Sequence, residues 1–174
     1  MRVAIVTHVV RHNDGQGRVN HEIARAALDE HIAVTLIASH VAPELLAHPD
    51  VRWIPIRIGR GWPSNLLRQQ VFAFRSAWWL RRHRHEYDVL HVNGFISWIA
   101  ADVNTAHFVH SGWFGSRYYP FGLAKGVWSA YQFLYTGINA RLERWAYRRS
   151  RVITAVSQKV ADEKKIAEDK IAAD

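Results

Sequence analysis

The stretch that decides the fold is Val3-Ala4-Ile5-Val6-Thr7, together with the loop and helix that follow it. An uninterrupted apolar run of this length is typical of a strand buried on both faces of a sheet. The loop from His8 to Gly17 ends in Asp-Gly-Gln-Gly, and Arg18–Glu30 then carries apolar residues at helical spacing. A buried strand, a glycine-containing loop and a helix form the opening unit of a parallel α/β sheet.

The same alternation continues along the chain. Further strands are predicted over residues 33–38, 51–56, 88–92, 103–110 and 151–156, and helices over residues 65–85, 95–101 and 123–150. A last helix is predicted to start near Ser157, a suitable N-cap residue. The pattern predicts an α/β fold with a Rossmann-like, doubly wound, mainly parallel sheet flanked by helices. This domain is assigned to residues 1–163. Residues 164–174 are expected to form a charged helical tail, which is either exposed to solvent or a remnant of truncation.

Composition narrows the class of protein. A chain of 174 residues with 49% hydrophobic residues and 8 Trp is long and apolar enough for one folded domain. It has no cysteine, which excludes disulfides, thiolate metal sites and cysteine nucleophiles. The first apolar run is too short for a signal peptide, and no stretch approaches the roughly 18 apolar residues of a membrane span. The sequence therefore predicts a soluble, cytoplasmic protein.

The charge is strongly positive, with 23 Lys and Arg against 15 Asp and Glu. Such an excess favours an anionic partner: nucleic acid, an anionic lipid surface or phosphorylated small molecules. Many of the basic residues lie on the helix predicted over residues 65–85. The candidates in this helix for binding an anionic surface are Arg68, Arg75, Arg81, Arg82 and Arg84. The alternative is a solvated outer face whose basic end suits a helix C-terminus. The apolar stripe expected to face the sheet consists of Leu67, Val71, Phe74 and Trp78.

The glycines of the first loop are not those of a dinucleotide fingerprint. The third glycine position holds Asn20, the loop is about seven residues too long, and no carboxylate follows the second strand. Two interpretations remain for Gly15-Gln16-Gly17. Their amides either face an anion at a helix N-terminus, or the glycines merely turn the chain into the helix.

Four stretches in order along the chain resemble the N-terminal domain of family 4 glycosyltransferases, retaining enzymes of the GT-B fold. They are residues 14–24 (DGQGRVNHEIA), 88–94 (DVLHVNG), 105–113 (TAHFVHSGW) and 151–157 (RVITAVS). The resemblance implies one half of a GT-B fold. The chain departs from the family pattern at Asp14, where a second glycine is usual, and at Gly17, where a polar residue is usual. The family's acidic donor motif belongs to a second Rossmann-like domain that this sequence lacks.

The resemblance also implies transfer of a sugar, with retention, from a nucleotide-sugar to an acceptor in the cleft between two domains. His110 matches the family histidine that contacts the donor sugar, and is the candidate catalytic residue. His107 lies three residues earlier on the predicted strand and is expected to face the opposite side. At least one of His8 and His12, in the first loop, is expected to face the acceptor. The candidates for binding donor or acceptor are Gly15, Gln16, Gly17, Arg18, Asn93, Gly94 and His107.

The expected partners are a nucleotide-sugar, an unknown acceptor, the missing C-terminal donor domain and an anionic membrane surface. No cofactor is expected, since the nucleotide-sugar is a substrate. No metal site is expected, because H-E-x-x-H spacing is absent. The aromatic-rich segment 112–135 is a candidate interface for the missing domain or for a second copy in a homo-oligomer.

The isolated chain is expected to be inactive without the donor domain. The competing interpretation is a non-enzymatic basic module that binds nucleic acid or an anionic membrane, although the chain has no zinc-finger, RRM or helix-turn-helix signature.

Overall fold

The computed structural model describes residues 1–59 and 61–162. Its main sheet consists of β1 (Arg2–Val6), β3 (Ala33–Ala38), β5 (Val51–Pro55), β6 (Val89–Asn93), β7 (Ala101–Ala106) and β8 (Ser150–Ala155). Two short strands, β2 (Val9–Val10) and β4 (His40–Val41), form a separate parallel pair. All neighbours in the six-stranded sheet are parallel, in the order β5-β3-β1-β6-β7-β8.

This order confirms the predicted Rossmann-like, doubly wound sheet. The chain moves outward from β1 through β3 to β5, then returns to the other side of β1 and moves outward from β6 to β8. The reversal leaves a crevice at the carboxyl ends of β1 and β6, which is where open α/β sheets bind their ligands.

The helices are α1 (Gly15–Asp29), α2 (Pro43–Leu46), α3 (Asn65–His83), α4 (His110–Phe114) and α5 (Val127–Arg148). A short 3-10 turn, Arg84–Glu86, follows α3. A further helical segment over 158–162 follows Ser157, whose hydroxyl accepts from the Val160 amide as the sequence predicts for an N-cap. The predicted tail 164–174 lies outside the described residues. None of the helices in the described ranges is both long and apolar enough to cross a membrane.

The core lies on both faces of the sheet, which explains the uninterrupted apolar run of β1. Ala4 and Val6 pack into the cluster around Phe72 of α3, whereas Ile5 packs into the cluster around Leu28 of α1. Successive side chains of a strand point to opposite faces, so a strand covered by helices on both sides has no polar alternation.

The prediction of which face of α3 packs on the sheet is wrong. Leu67, Phe74 and Trp78 are 43%, 61% and 52% exposed. The face that packs on the sheet is formed by Phe72, Ala73, Ser76, Ala77 and Leu80. Three of these five are small, which lets the helix backbone approach the sheet closely. Ser76 is accommodated there because its hydroxyl pairs with that of Ser97 at 2.9 Å.

The helix predicted over 95–101 is also absent from the structure, where this segment is an irregular connection. Its chain is held against α3 instead. The Trp98 amide donates to the carbonyl of Ala73, and the Trp98 indole donates to Gln70 at 3.1 Å. Tertiary hydrogen bonds and packing therefore override a helical pattern too short to be stable alone.

Candidate functional site

A pocket of about 350 Å³ opens at the carboxyl ends of β1, β6 and β7, in the crevice where the strand order reverses. Residues from every neighbouring element contribute to it. They are His8 after β1, Gln16 of α1, Gln69 of α3, Asn93, Gly94, Phe95 and Ile96 at and after β6, His107 and Phe108 after β7, His110 of α4, and Asn139 and Glu143 of α5.

His110 and Glu143 form the tightest polar contact of the pocket. The buried Glu143 accepts the backbone amide of His110 at 2.8 Å through Oε2, and its Oε1 lies 2.7 Å from His110 Nδ1. An ionised carboxylate only accepts, so Nδ1 carries the hydrogen between them. This leaves Nε2 as the His110 ring nitrogen that can bond a ligand, and it fixes the direction of the ring.

His107 and Asn93 form a second pair beside the first. His107 Nε2 lies 2.8 Å from Asn93 Oδ1, and Asn93 Nδ2 donates to the carbonyl of Val6 at 3.1 Å. Burial lowers the pKa of His107. The imidazole is therefore neutral at physiological pH, with Nε2–H directed at the amide oxygen and Nδ1 left as an acceptor.

The strand predicted over 103–110 ends at Ala106, which corrects the expectation that His107 and His110 face opposite sides. The Cβ alternation of a strand applies only while the strand continues. The chain turns after β7, and His110 begins α4. Both histidines consequently line the same pocket.

The glycine loop is shaped by a side-chain cap. Asp14 is the N-cap of α1, and its Oδ1 accepts the Gly17 amide at 2.6 Å, so α1 begins at Gly15, three residues before the predicted Arg18. A Cβ on Gly17 would lie 3.0 Å from Asp14 Cβ and 3.2 Å from the Arg11 carbonyl oxygen. Gly17 is therefore needed for close packing, and its amide is already bonded within the protein.

Of the sequence-predicted ligand-binding residues, the structure gathers Gln16, Asn93, Gly94, His107 and His110 in the pocket. The other three, Gly15, Gly17 and Arg18, are not among its lining residues. Gly94 has a φ of 57°, a conformation that favours glycine where β6 turns into the pocket wall.

Sequence reasoning missed Glu143, Asn139 and Gln69. A signal existed for Glu143, which is the single carboxylate of the sequence between Asp102 and Asp162. It also follows Thr136 and Asn139 at helical spacing, on the buried face of α5. Polar residues recurring on the buried face of a helix point to a polar site rather than a plain core.

A larger cavity, of about 660 Å³, adjoins the pocket and shares His8 and Gln69 with it. Its walls include two arginines, Arg57 and Arg68, and the indole of Trp53. Burial, and secondarily the positive charge of Arg68, lower the pKa of His8 to about 4. His8 is therefore neutral and separates a pocket without arginine or lysine from a cavity with two arginines.

The arginines of α3 differ in what they contact. Arg82 stacks 3.7 Å from the centre of the Trp78 ring, and Arg81 donates to the Trp98 carbonyl. Arg75 donates to the carbonyl of Arg57. Arg84, in contrast, forms an ion pair with Asp102 and lies in the 3-10 turn.

The aromatic segment is partly packed and partly open. Trp113, Phe114, Tyr119 and Phe133 form edge-on and tilted ring contacts with one another. Other apolar side chains of the segment remain exposed, among them Tyr118, Leu123, Val127 and Trp128.

Comparison with known proteins agrees with this architecture. Comparison with curated protein sequences finds no match. Among solved structures, the chain is similar to the crystal structure of WaaG, a glycosyltransferase involved in lipopolysaccharide biosynthesis, with a TM-score of 0.61 and 15% sequence identity. The match covers 94% of this chain and 41% of the WaaG chain, so the two share a fold over less than half of the longer protein. The sequence model of Glycosyltransferase Family 4 matches residues 13–165. The chain belongs to Glycosyltransferase Family 4.

Proposed function

We propose that this chain is the acceptor-side half of a retaining glycosyltransferase that uses a nucleotide-sugar. The pocket at the reversal of strand order carries the proposal. It holds hydrogen-bonding groups at and after the ends of two neighbouring strands, β6 and β7, namely Asn93, His107 and His110. Such groups suit the hydroxyls of one sugar ring.

In this proposal His110 is the catalytic residue and Glu143 positions it. Both carboxylate oxygens of Glu143 are occupied by His110, so its role is to orient the imidazole. Nε2 of His110 would then hold a hydroxyl of the transferred sugar. Fixed hydrogen bonds of this kind stabilise a charged transition state because they require no reorganisation during the reaction.

The diphosphate is expected to bind elsewhere. No lysine or arginine is among the lining residues of the pocket, and the Gly17 amide is capped by Asp14. A departing nucleoside diphosphate requires positive charge or free helix-terminal amides. We therefore assign it to the second domain of the GT-B fold, which also accounts for the expectation that the isolated chain is inactive.

The larger cavity is proposed to hold the acceptor. Arg57 and Arg68 give it positive charge, and Trp53 supplies an apolar surface. An acceptor with an anionic group, such as a phosphate, fits this pairing. Its reacting hydroxyl would lie near His8 and Gln69, where the two cavities meet.

Isothermal titration of nucleotide-sugars and nucleoside diphosphates into the 174-residue chain tests the division of roles. We expect no saturable binding at micromolar concentrations, because the diphosphate lacks its partners. Micromolar binding of a nucleoside diphosphate to this chain would contradict the proposal.

A second proposal concerns attachment to an anionic membrane. The exposed apolar residues of α3, Leu67, Phe74 and Trp78, lie beside the exposed Arg75, Arg81 and Arg82. An apolar stripe flanked by cations suits insertion at a bilayer surface, where each basic residue contributes about 1 kcal/mol. Arg84 is left out of this surface because Asp102 already neutralises it.

Co-sedimentation with anionic and zwitterionic lipid vesicles tests this second proposal. The double substitution Phe74→Ser with Trp78→Ser should weaken binding to anionic vesicles at least tenfold. Trp128→Ser is the matched control, since Trp128 is 68% exposed on a different helix. Equal binding by both variants would contradict insertion through α3. Salt-sensitive binding of RNA without binding of vesicles would favour the non-enzymatic alternative.

A further inference from the structure

A second polar cluster lies away from the pocket, where the first loop meets α1 and α2. His12 of the loop, His21 of α1 and Glu44 of α2 each present a ligand atom, and these atoms lie within 4.8 Å of one another. The three residues line one cavity of about 300 Å³. Imidazole nitrogen and carboxylate oxygen together form a usual ligand set for Zn²⁺.

His21 is the unusual member of the cluster. Its side chain is 1% exposed, and neither ring nitrogen has a hydrogen-bond partner among the described residues. Buried polar groups without partners cost about 1–3 kcal/mol each, so they are rarely retained without a use. The position of Glu44 has a simple structural explanation, because a carboxylate in the first turn of α2 interacts favourably with the N-terminus of that helix. That explanation does not extend to His21.

The distances suit ligands of one ion better than hydrogen bonds. Glu44 Oε1 lies 3.6 Å from His12 Nε2 and 3.6 Å from His21 Nε2. Both separations exceed the usual range for a hydrogen bond between nitrogen and oxygen. Two ligands about 2.0–2.1 Å from a tetrahedral zinc ion are about 3.3–3.4 Å apart. A shift of a few tenths of an ångström would bring each of these two separations to the value expected for coordination, and the two histidine ligand atoms lie within 4.8 Å of each other.

Glu22 lies on the other side of the two imidazoles. Its Oε1 is 3.7 Å from His21 Nδ1 and 4.0 Å from His12 Nδ1. A carboxylate facing Nδ1–H favours the tautomer in which Nε2 is free to bind a metal. With Glu44 as a direct ligand and Glu22 behind the histidines, two carboxylates would balance the charge of a divalent ion.

We propose that His12, His21 and Glu44 form a binding site for a divalent transition metal of the zinc type, with Glu22 orienting the histidines. The half-exposed His12 and Glu44 leave a fourth position open to water. The ion would tie the first loop to α1 and α2. That loop begins at His8, which lines the pocket, and ends at the cap of α1, so the metal would stabilise the loop without entering the reaction.

The experiment is a titration of Zn²⁺ into the untagged, chelator-treated 174-residue chain, followed calorimetrically and by thermal unfolding. We expect one saturable site and a rise in Tm with zinc but not with Mg²⁺. Bound Co²⁺ should show the visible absorption of a four-coordinate site. His12→Ala and Glu44→Gln each change a half-exposed side chain and should weaken zinc binding at least tenfold. Glu22→Gln should weaken it by about tenfold or more.

The matched controls are His85→Ala and Glu30→Gln, which alter exposed residues outside the cluster and should bind zinc as the unaltered chain does. A chain that takes up no zinc would overturn the proposal. So would zinc binding that His12→Ala and Glu44→Gln leave unchanged, because that result would place the ion on other histidines.

Discussion

Replacement of Glu143 by glutamine tests the part of the site that the sequence did not reveal. The carboxylate accepts two hydrogen bonds from His110, at 2.7 and 2.8 Å, while buried beneath the pocket. Hydrogen bonds to a charged group contribute about 1.5–3 kcal/mol each. Glutamine keeps one acceptor oxygen but turns an N–H toward the other donor, and it also removes the cost of burying a charge. The net loss should be about 2–3 kcal/mol.

The assay is urea unfolding followed by tryptophan fluorescence and circular dichroism. In thermal unfolding of a domain of this size, the same loss of about 2–3 kcal/mol corresponds to a fall in Tm of about 4–12 °C. A double-mutant cycle with His110→Ala isolates the side-chain bond, because the His110 amide remains in that variant. We expect a coupling energy of about 1.5 kcal/mol, within the range for residues in direct contact.

Glu30→Gln, which alters an exposed carboxylate, should change the stability by less than about 0.5 kcal/mol. The reasoning is refuted if Glu143→Gln is as stable as this control, or if the coupling to His110 is zero. Either result would mean that the carboxylate does not hold the imidazole.

Three further predictions follow from single residues. Gly17→Ala should destabilise the chain by about 1–2 kcal/mol, since its Cβ would meet Asp14 at 3.0 Å, whereas Gly15→Ala, with no atom within 4 Å, should be neutral or slightly stabilising in the same urea assay. Gly94→Ala should cost about 1–2 kcal/mol, measured as a fall in Tm, because φ is 57° there. Burial, and secondarily His107, lower the pKa of His91 from 6.5 to about 4, so between these values the unfolded chain binds a proton that the folded chain does not. The contribution of His91 to stability should therefore be complete above pH 6.5 and decline by up to about 3 kcal/mol toward pH 4, and urea unfolding of His91→Gln should show a shallower fall.

Much of the fold could be predicted because strands and helices differ in apolar period. β3 was predicted with its observed bounds, and β1, β6 and β8 within about one residue. The nearly continuous apolar runs of β1 and β3 mark strands buried on both faces, whereas β8 is mostly exposed. The family resemblance of the four stretches is confirmed by the family match over residues 13–165.

The failures have a common physical cause, which is packing between elements distant in sequence. The buried face of α3 is made of small residues, so the periodicity of large apolar residues pointed to the exposed face. Likewise, the strand predicted over residues 103–110 ends at Ala106, and α4 begins at His110, whose amide donates to Glu143, 33 residues later.

The clustering of polar residues was harder to foresee than the elements themselves. His21 and Glu44 lie on α1 and α2, whose relative position depends on the fold of the intervening β3. No short spacing motif of the kind that marks a metalloprotease connects them. Residues of such a cluster become visible only when the chain is folded.

The central claim is most directly tested by sugar transfer in a joined protein, made by fusing this chain to the part of the WaaG chain that lies outside the structural match. We predict transfer to the acceptor by the joined protein and none by the 174-residue chain. His110→Ala in the joined protein should lower kcat by about 10²–10³, as removal of one preorganised hydrogen bond does, while His85→Ala should not. Transfer by the chain alone, or full activity of the His110→Ala protein, would contradict the account.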